Sequence, residues 1–222
     1  MHSPACIIVN KEDVFMKGTE ARKMDVEEKI YTIEDFYALP ESRPRKELID
    51  GKFYDMAEPS TSHQLLLTEL MVIIHEYIQR KGGPCKVIPA PYAVEFPKEV
   101  KKKTDHFRED SVVEPDISVI CDPSILTERG CKGTPDWIIE ITSPSNSAHD
   151  LIRKLELYSE GGVRDYWIVD LPKERILVYR KKEEGYDLEI YGMKDKIRSA
   201  VFEDLEIDFS GIGYQERKAG MS

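Results

Sequence analysis

Cysteine is scarce in this chain, and its spacing excludes more than its number does. Cys6, Cys85, Cys121 and Cys131 form no C-x-x-C pair, which argues against a zinc ribbon or a thioredoxin-like redox motif. Two of them lie in apolar segments. The expectation is buried free thiols in a reducing cytoplasm rather than a zinc or disulfide framework. No apolar run approaches the roughly 20 residues needed to cross a bilayer. The N-terminus carries a short apolar patch with no basic region before it and then turns polar, which speaks against a secretory signal. Positive charge is in deficit. There are 32 Lys and Arg against 42 Asp and Glu, a net charge of −10. Such a field repels a polyanion and excludes strong, indiscriminate nucleic-acid binding. No G-x-G-x-x-G, Walker loop, H-E-x-x-H or G-x-S-x-G occurs. Ser143, Pro144 and Ser145 have no histidine spacing that would support a serine nucleophile. His2, His75, His106 and His149 form no metal spacing with one another.

What is present fits one soluble domain. A length of 222 residues with 41% apolar and 33% charged residues supports a single sizeable core. Residues 1–28 read as a tail or extension, 29–213 as the domain and 214–222 as a short tail. Thr32 caps a brief helix that Pro40 ends. Asp50-Gly51 turns a hairpin within 46–54. Leu66, Leu70, Ile73, Ile74 and Tyr77 recur at helical spacing, which predicts a largely buried helix from about 60 to Gly82. Strands follow at 85–88 and 92–96. The charged stretch 97–111 reads as a loop, 114–121 as a strand and 122–134 as a second loop. Beyond the central segment come a strand at 164–170, a hairpin partner at 175–181, and a final strand pair, 186–191 with 201–209. Strands outnumber helices, but two good helices flank the sheet. The class is α/β or α+β with a mixed sheet.

The segment 135–154, PDWIIEITSPSNSAHDLIRK, carries the chemistry. It opens as an apolar strand with Glu140 in its middle, and an acid there is costly unless something compensates it. Strand alternation puts Glu140 on a face with Ile138 and Thr142. Asp116 sits with Ser118 and Ile120 on the earlier strand. If the two strands are neighbours, their carboxylates converge, and a converging pair raises a pKa or recruits a cation. Oxygen ligands with open water positions suit Mg2+ or Mn2+. After the break, a capping box at Ser147 and Asp150 starts a helix on which Asp150, Lys154 and Tyr158 share a face. A lysine there could reach the metal and stabilise charge on a phosphate, a set suited to phosphodiester hydrolysis.

Each residue also has a plainer reading. Asp116 could bind a backbone N–H at a strand start. Asp150 could be a first-turn helix acid, and Lys154 a solvated helix lysine. Glu47 could make a surface ion pair, and His63 could cap or pack at a helix N-terminus, a place that also binds anions. Tyr158 and Trp167 read as core. Arg43, Arg45 and Lys46, and the run 98–103, are basic patches that a polyanion could use.

The strings KELIDGKFYDMAEPSTSH, EPDISVICD and PDWIIEITSPSNSAHDLIRKLELYSEGGVRDYWIVD, in that order, resemble the Uma-two family of restriction-endonuclease-like proteins, within the PD-(D/E)XK nuclease superfamily. The resemblance spans residues 30–213. It implies a mixed sheet flanked by helices around a metal site. Asp116 matches the aspartate of the PD element and Glu140 the acid of (D/E)XK. Thr142 stands where the superfamily has lysine, and Lys154 on the next helix is the match for that lysine. Glu47 and His63 match N-terminal elements. The implied enzyme is a magnesium-dependent endonuclease acting on DNA. Asp116, Glu140 and the Ile141 carbonyl would hold the ion. Lys154 and Glu47 would be catalytic, with His63 and Asp150 near a phosphate. The alternative is a catalytically weak or inactive nucleic-acid-binding or assembly module. A cytoplasmic protein, with C-terminal hairpins able to pair two copies as a homodimer, completes the expectation.

Overall fold

Thr32 begins the first helix as its sequence context requires. The computed structural model describes residues 29–40, 44–98, 109–142, 148–183 and 185–214. In helix α1 (Ile33–Tyr37) the Thr32 hydroxyl accepts from the Asp35 N–H, and the Asp35 carboxylate accepts from the Thr32 N–H, a reciprocal cap. The hairpin β1 (Lys46–Ile49) and β2 (Lys52–Asp55) turns at Asp50 and Gly51. Both have positive φ, 49° and 71°, as a tight two-residue turn demands. Helix α2 (Thr61–Lys81) is capped by Ser60, which accepts from the His63 N–H, and ends at left-handed Gly82. Leu66, Leu70 and Ile74 are buried, whereas Leu65 and Val72 are exposed. The helix is thus buried along one face only, because it packs on one sheet and meets solvent on the other side.

The remaining elements, in order, are β3 (Lys86–Pro89), β4 (Ala93–Phe96), β5 (Ser111–Val113), β6 (Ile117–Ile120), β7 (Gly130–Lys132), β8 (Trp137–Thr142), helix α3 (Ala148–Gly161), β9 (Asp165–Asp170), β10 (Arg175–Lys181), β11 (Tyr186–Gly192), β12 (Lys196–Arg198) and β13 (Glu206–Asp208). They build a mixed α/β fold from two mixed sheets and a hairpin. A six-stranded sheet runs β11-β10-β9-β8-β6-β3, a five-stranded sheet runs β2-β1-β5-β4-β7, and β12 pairs with β13. Strands β8 and β9 are parallel, so the chain must cross over between them, and α3 is that crossover.

Four local expectations change. The sheet is two sheets, not one. The expected strand 114–121 shortens to β6, and β5, which was not anticipated, precedes it; Pro115, which has no N–H to donate, lies between them, with β5 in one sheet and β6 in the other. The expected loop 122–134 contains β7, which pairs with β4. Gly130 permits this, because a Cβ there would lie 2.0 Å from the Ala93 carbonyl oxygen. Strand β11 pairs with β10 over seven residues, and the 201–209 region contributes only β13, whose partner is β12. The expected extension 1–28, most of the charged loop 97–111, Ser147 of the capping box, Arg43 and most of the tail 214–222 lie outside the described residues.

Cysteine pairing also differs. Cys85 and Cys121 form a disulfide, with Cα atoms 3.8 Å apart. Antiparallel β3 and β6 pair Lys86 with Ile120, and one step further along that register sets the two cysteines opposite each other. Cys131 is free and buried, as expected. The thiol argument for a reducing compartment therefore loses this pair. No helix among the described residues is long and apolar enough to cross a membrane.

The six-stranded sheet divides the core. On one face Trp137, Ile139 and Ile141 meet α2 and the C-terminal hairpin. On the other, Ile138 and Ile168 meet α3 and the inner face of the five-stranded sheet. Strand β8 is buried at all six positions, so each face is sealed by a different layer. Helix α3 lies very close to the five-stranded sheet at its end, where a Cβ on Gly161 would come within 2.6 Å of the Phe96 ring.

Asp165, fully buried at the start of β9, ties the C-terminal segment to this sheet. It accepts from the Trp167 indole N–H (2.7 Å), the Ala200 N–H (2.7 Å) and the Ser199 hydroxyl (3.3 Å). Burial pushes its carboxyl upward, and these donors oppose the rise. Asp165→Ala leaves three donors without a partner. We expect a loss of about 2–3 kcal/mol, read as a lower urea midpoint with an unchanged slope; an unaltered midpoint would contradict the network.

Candidate active site

The site forms where the two sheets diverge. Strand β6 pairs Ile117 with Ile139 of β8. One residue further along the same register, Asp116 falls opposite Glu140. The ladder does not continue there. The Asp116 carboxylate replaces it, with Oδ2 accepting from the Ile141 N–H at 2.7 Å. A strand residue sends its N–H and C=O to the same side, so the Ile141 carbonyl turns the same way. The plain reading of Asp116, a bond to a backbone N–H, holds together with the convergence of the two acids.

Glu140 lies within β8 and is 8% exposed. Its Oε1 accepts from Lys154 Nζ at 3.1 Å and from the Tyr158 hydroxyl at 2.8 Å. Lys154, only 5% exposed, is not a solvated helix lysine. Its ammonium also donates to Glu47 Oε1 at 3.0 Å, and Glu47 accepts from the Glu114 N–H at 3.0 Å. Glu47 on β1 is therefore not a surface acid: its ion pair is internal and its partner is Lys154. On the other side, His63 Nε2 lies 3.1 Å from Asp116 Oδ2, and its Nδ1 is 3.0 Å from Gln64 Oε1. The Ser60 cap fixes the backbone of His63 at the start of α2.

Glu47, His63, Asp116, Glu140, Ile141, Asp150 and Lys154 line one cavity of about 470 Å³. Every side chain singled out in the sequence for chemistry reaches it. Asp150 stands in the first turn of α3, half-buried, and its charge helps hold Lys154 protonated. Two residues were not anticipated. Tyr158 is core, as expected, but its hydroxyl is also a ligand of Glu140. The helical spacing of Asp150, Lys154 and Tyr158 already held that signal. Glu114 pairs with Arg45 across the cavity wall, and nothing in its sequence context marked it. Arg45 and Lys46 do not form a free basic patch, because Lys46 pairs with Asp55.

Burial and electrostatics oppose each other here. Burial pushes the Glu140 carboxyl up to about 8; Lys154 pulls it down, and the charges of Asp116 and Glu47 add to the rise. Burial pushes Lys154 down, but Glu140, Glu47 and Asp150 outweigh it and hold the ammonium well above the usual lysine range. Tyr158 is held well above its ordinary value by burial and by Glu140.

The donor set suits a hard divalent cation. All hydrogen bonds found among the described residues fall on one oxygen of each acid, Asp116 Oδ2 and Glu140 Oε1. Among the described residues no group of three His, Cys, Asp or Glu side chains is poised around one point. Magnesium does not need such a group. It keeps several waters and is commonly held by one or two carboxylates, which the Ile141 carbonyl can supplement.

The chain is similar to known proteins in three respects. The Uma2 family model, described as "Putative restriction endonuclease", matches residues 33–210. A curated relative, "Uncharacterized protein slr1290" of Synechocystis sp., is 25% identical over 144 residues, 64% of this chain and 70% of the relative. A solved crystal structure from Anabaena variabilis, described as a putative nuclease belonging to DUF820, superposes with a TM-score of 0.65. It shares 22% identity and covers 82% of this chain and 96% of its own, a likeness of fold.

His63 generates a pH prediction. Burial pushes its imidazole down, but the hydrogen bond and charge of Asp116 outweigh burial and raise it above the ordinary 6.5. A raised histidine stabilises the fold fully below its unfolded value, and that contribution is lost as pH rises through the folded value. An NMR titration of the ring protons should give a midpoint above 6.5; a midpoint at or below it would refute the pairing.

Proposed function

Because the chain belongs to the Uma2 family, we propose that it is a metal-dependent endonuclease that hydrolyses phosphodiester bonds, with DNA as substrate. One observation carries the reading: a buried ammonium, Lys154, sits between Glu47 and Glu140 in the cavity that Asp116 also lines. Carboxylates outnumber cations on that wall, and the excess charge calls for a cation.

Asp116, Glu140 and the Ile141 carbonyl would hold Mg2+ or Mn2+. Once bound, such an ion supplies Lewis acidity and neutralises charge on the phosphate. The protein's own groups do the rest. With two N–H groups on Glu47 and Glu140, Lys154 directs the third toward the attacking water or the charge that develops on a phosphoryl oxygen. Glu47 holds the ammonium from behind, since it is itself anchored by the Glu114 N–H. Tyr158 fixes the Glu140 carboxylate through one oxygen, and the other carries no hydrogen bond among the described residues and is left for the ion. His63 orients Asp116 and, being cationic when protonated, favours an anion at the start of α2. Asp150 keeps Lys154 charged. The walls thus position water and phosphate for in-line hydrolysis.

Nicking of supercoiled plasmid with magnesium tests this. Glu140→Gln, Asp116→Asn and Lys154→Ala should each lose at least about a hundredfold in rate, with circular dichroism confirming that they fold. Equal nicking by wild type and all three variants would remove the assignment. The net charge of −10 favours a second reading, a catalytically weak or inactive binding or assembly module. Calorimetry separates the two. With the Glu140 carboxyl at about 8 in the cation-free protein, that group disfavours the fold as pH rises from 4.5 toward 8, and a bound cation reverses the effect. Magnesium binding should therefore release protons near neutrality and about a tenth as many one unit above a pH of about 8. No heat at millimolar magnesium would favour the module.

A further inference from the structure

Helix α3 puts a second cation on the cavity wall, next in sequence to Lys154. Arg153 packs its guanidinium on the ring of Tyr54, with Cζ 4.0 Å from the ring centroid, and both residues line the cavity. Strand register ties this couple to the site already described. Tyr54 on β2 is the cross-strand partner of Glu47 on β1, and Glu47 holds Lys154. The hairpin therefore offers Glu47 and Tyr54, and the helix answers with Lys154 and Arg153.

Arg153 is unlike the other cations here. Lys154 is committed to Glu47 and Glu140, and Arg45 to Glu114. Among the described residues Arg153 makes no ion pair, and its Nη1 is buried with no hydrogen-bond partner. Ser118, Trp137, Glu160 and Tyr166 also carry buried, unpartnered polar atoms, but none of them lines this cavity, and the one charged group among them, Glu160, is an acid. A guanidinium donor left unmade is expensive, and a ring face holds the cation without satisfying its planar N–H fork. The missing partner is an oxyanion that enters the cavity, and a phosphate matches the fork.

We propose that Arg153, held by Tyr54, grips a backbone phosphate of the DNA strand next to the phosphate at Lys154. This rests on the nuclease reading above. Arg153 is then a binding residue: it sets the register of the strand and carries no step of hydrolysis.

The test is fluorescence anisotropy with a labelled, short single-stranded deoxyoligonucleotide across a salt series. Calcium, which takes the same oxygen ligands, replaces magnesium. Arg153→Met should bind about tenfold to a hundredfold more weakly, and its plot of log affinity against log salt should be shallower by about 0.7, the value of one lost phosphate contact. A packing role for Arg153 would leave that slope alone. Arg153→Lys should restore the slope with only part of the affinity. Tyr54→Leu should weaken binding, and Tyr54→Phe, which keeps the ring, should match wild type. If Arg153→Met does not fold, the lysine and Tyr54 variants decide the matter by the same slope. Wild-type affinity and slope in folded Arg153→Met, with plasmid nicking intact, overturn the grip and leave the nuclease reading standing. A wild-type protein that neither binds the strand nor nicks plasmid overturns both.

Discussion

One ammonium group holds the site together. Lys154 Nζ sits between Glu47 on the five-stranded sheet and Glu140 on the six-stranded sheet. Helix α3 thereby pins the two sheets to each other at the cavity. Buried ion pairs are seldom strong stabilisers against an apolar alternative, yet losing one partner typically costs about 3–5 kcal/mol. Such an arrangement is a poor way to gain stability and a good way to fix positions. The acids cannot drift apart without stranding the ammonium, and the ammonium cannot leave for water without stranding two acids.

The rest of the architecture serves that geometry. Both faces of β8 are sealed, by α2 on one side and α3 on the other, so Glu140 has little access to solvent. The end of β6 stops one residue short of the point where the ladder would close over the site, and Asp116 fills the gap with a side chain. Asp116 thus completes the strand contact through one oxygen while also lining the cavity. Its histidine neighbour is anchored by the cap of α2. Each group in the cavity is held by an element whose own start or end is well specified.

Much of this was legible in the sequence, because the informative residues break local rules. Glu140 stands out as an acid in an apolar strand. Asp50-Gly51 and Gly82 stand out because only certain residues tolerate their φ. The helical spacing of Asp150, Lys154 and Tyr158 correctly put three side chains on one face. Other features depend on tertiary contacts that local pattern does not encode. Nothing around Cys85 indicates that β3 will lie against β6 in the register that meets Cys121. The three residues of β7 are too short for a periodic signal, and only the closeness of Gly130 to Ala93 explains their pairing. Pro115 is visible as a break, but the break does not say that a strand precedes it or that this strand belongs to a different sheet from the one that follows. Glu114 and Arg45 meet only once β1 has paired with β5, a contact between segments distant in sequence.

Gly161 gives this a mechanical side. It stands two helical turns beyond Lys154, against the Phe96 ring, with no room for even one methyl group. A side chain on Gly161 would have to displace the Phe96 ring or tilt helix α3, and a tilt would carry the Lys154 amine, at the middle of the rod, along with it. A position with no polar group of its own thus helps to fix the depth at which the ammonium sits between its two acids.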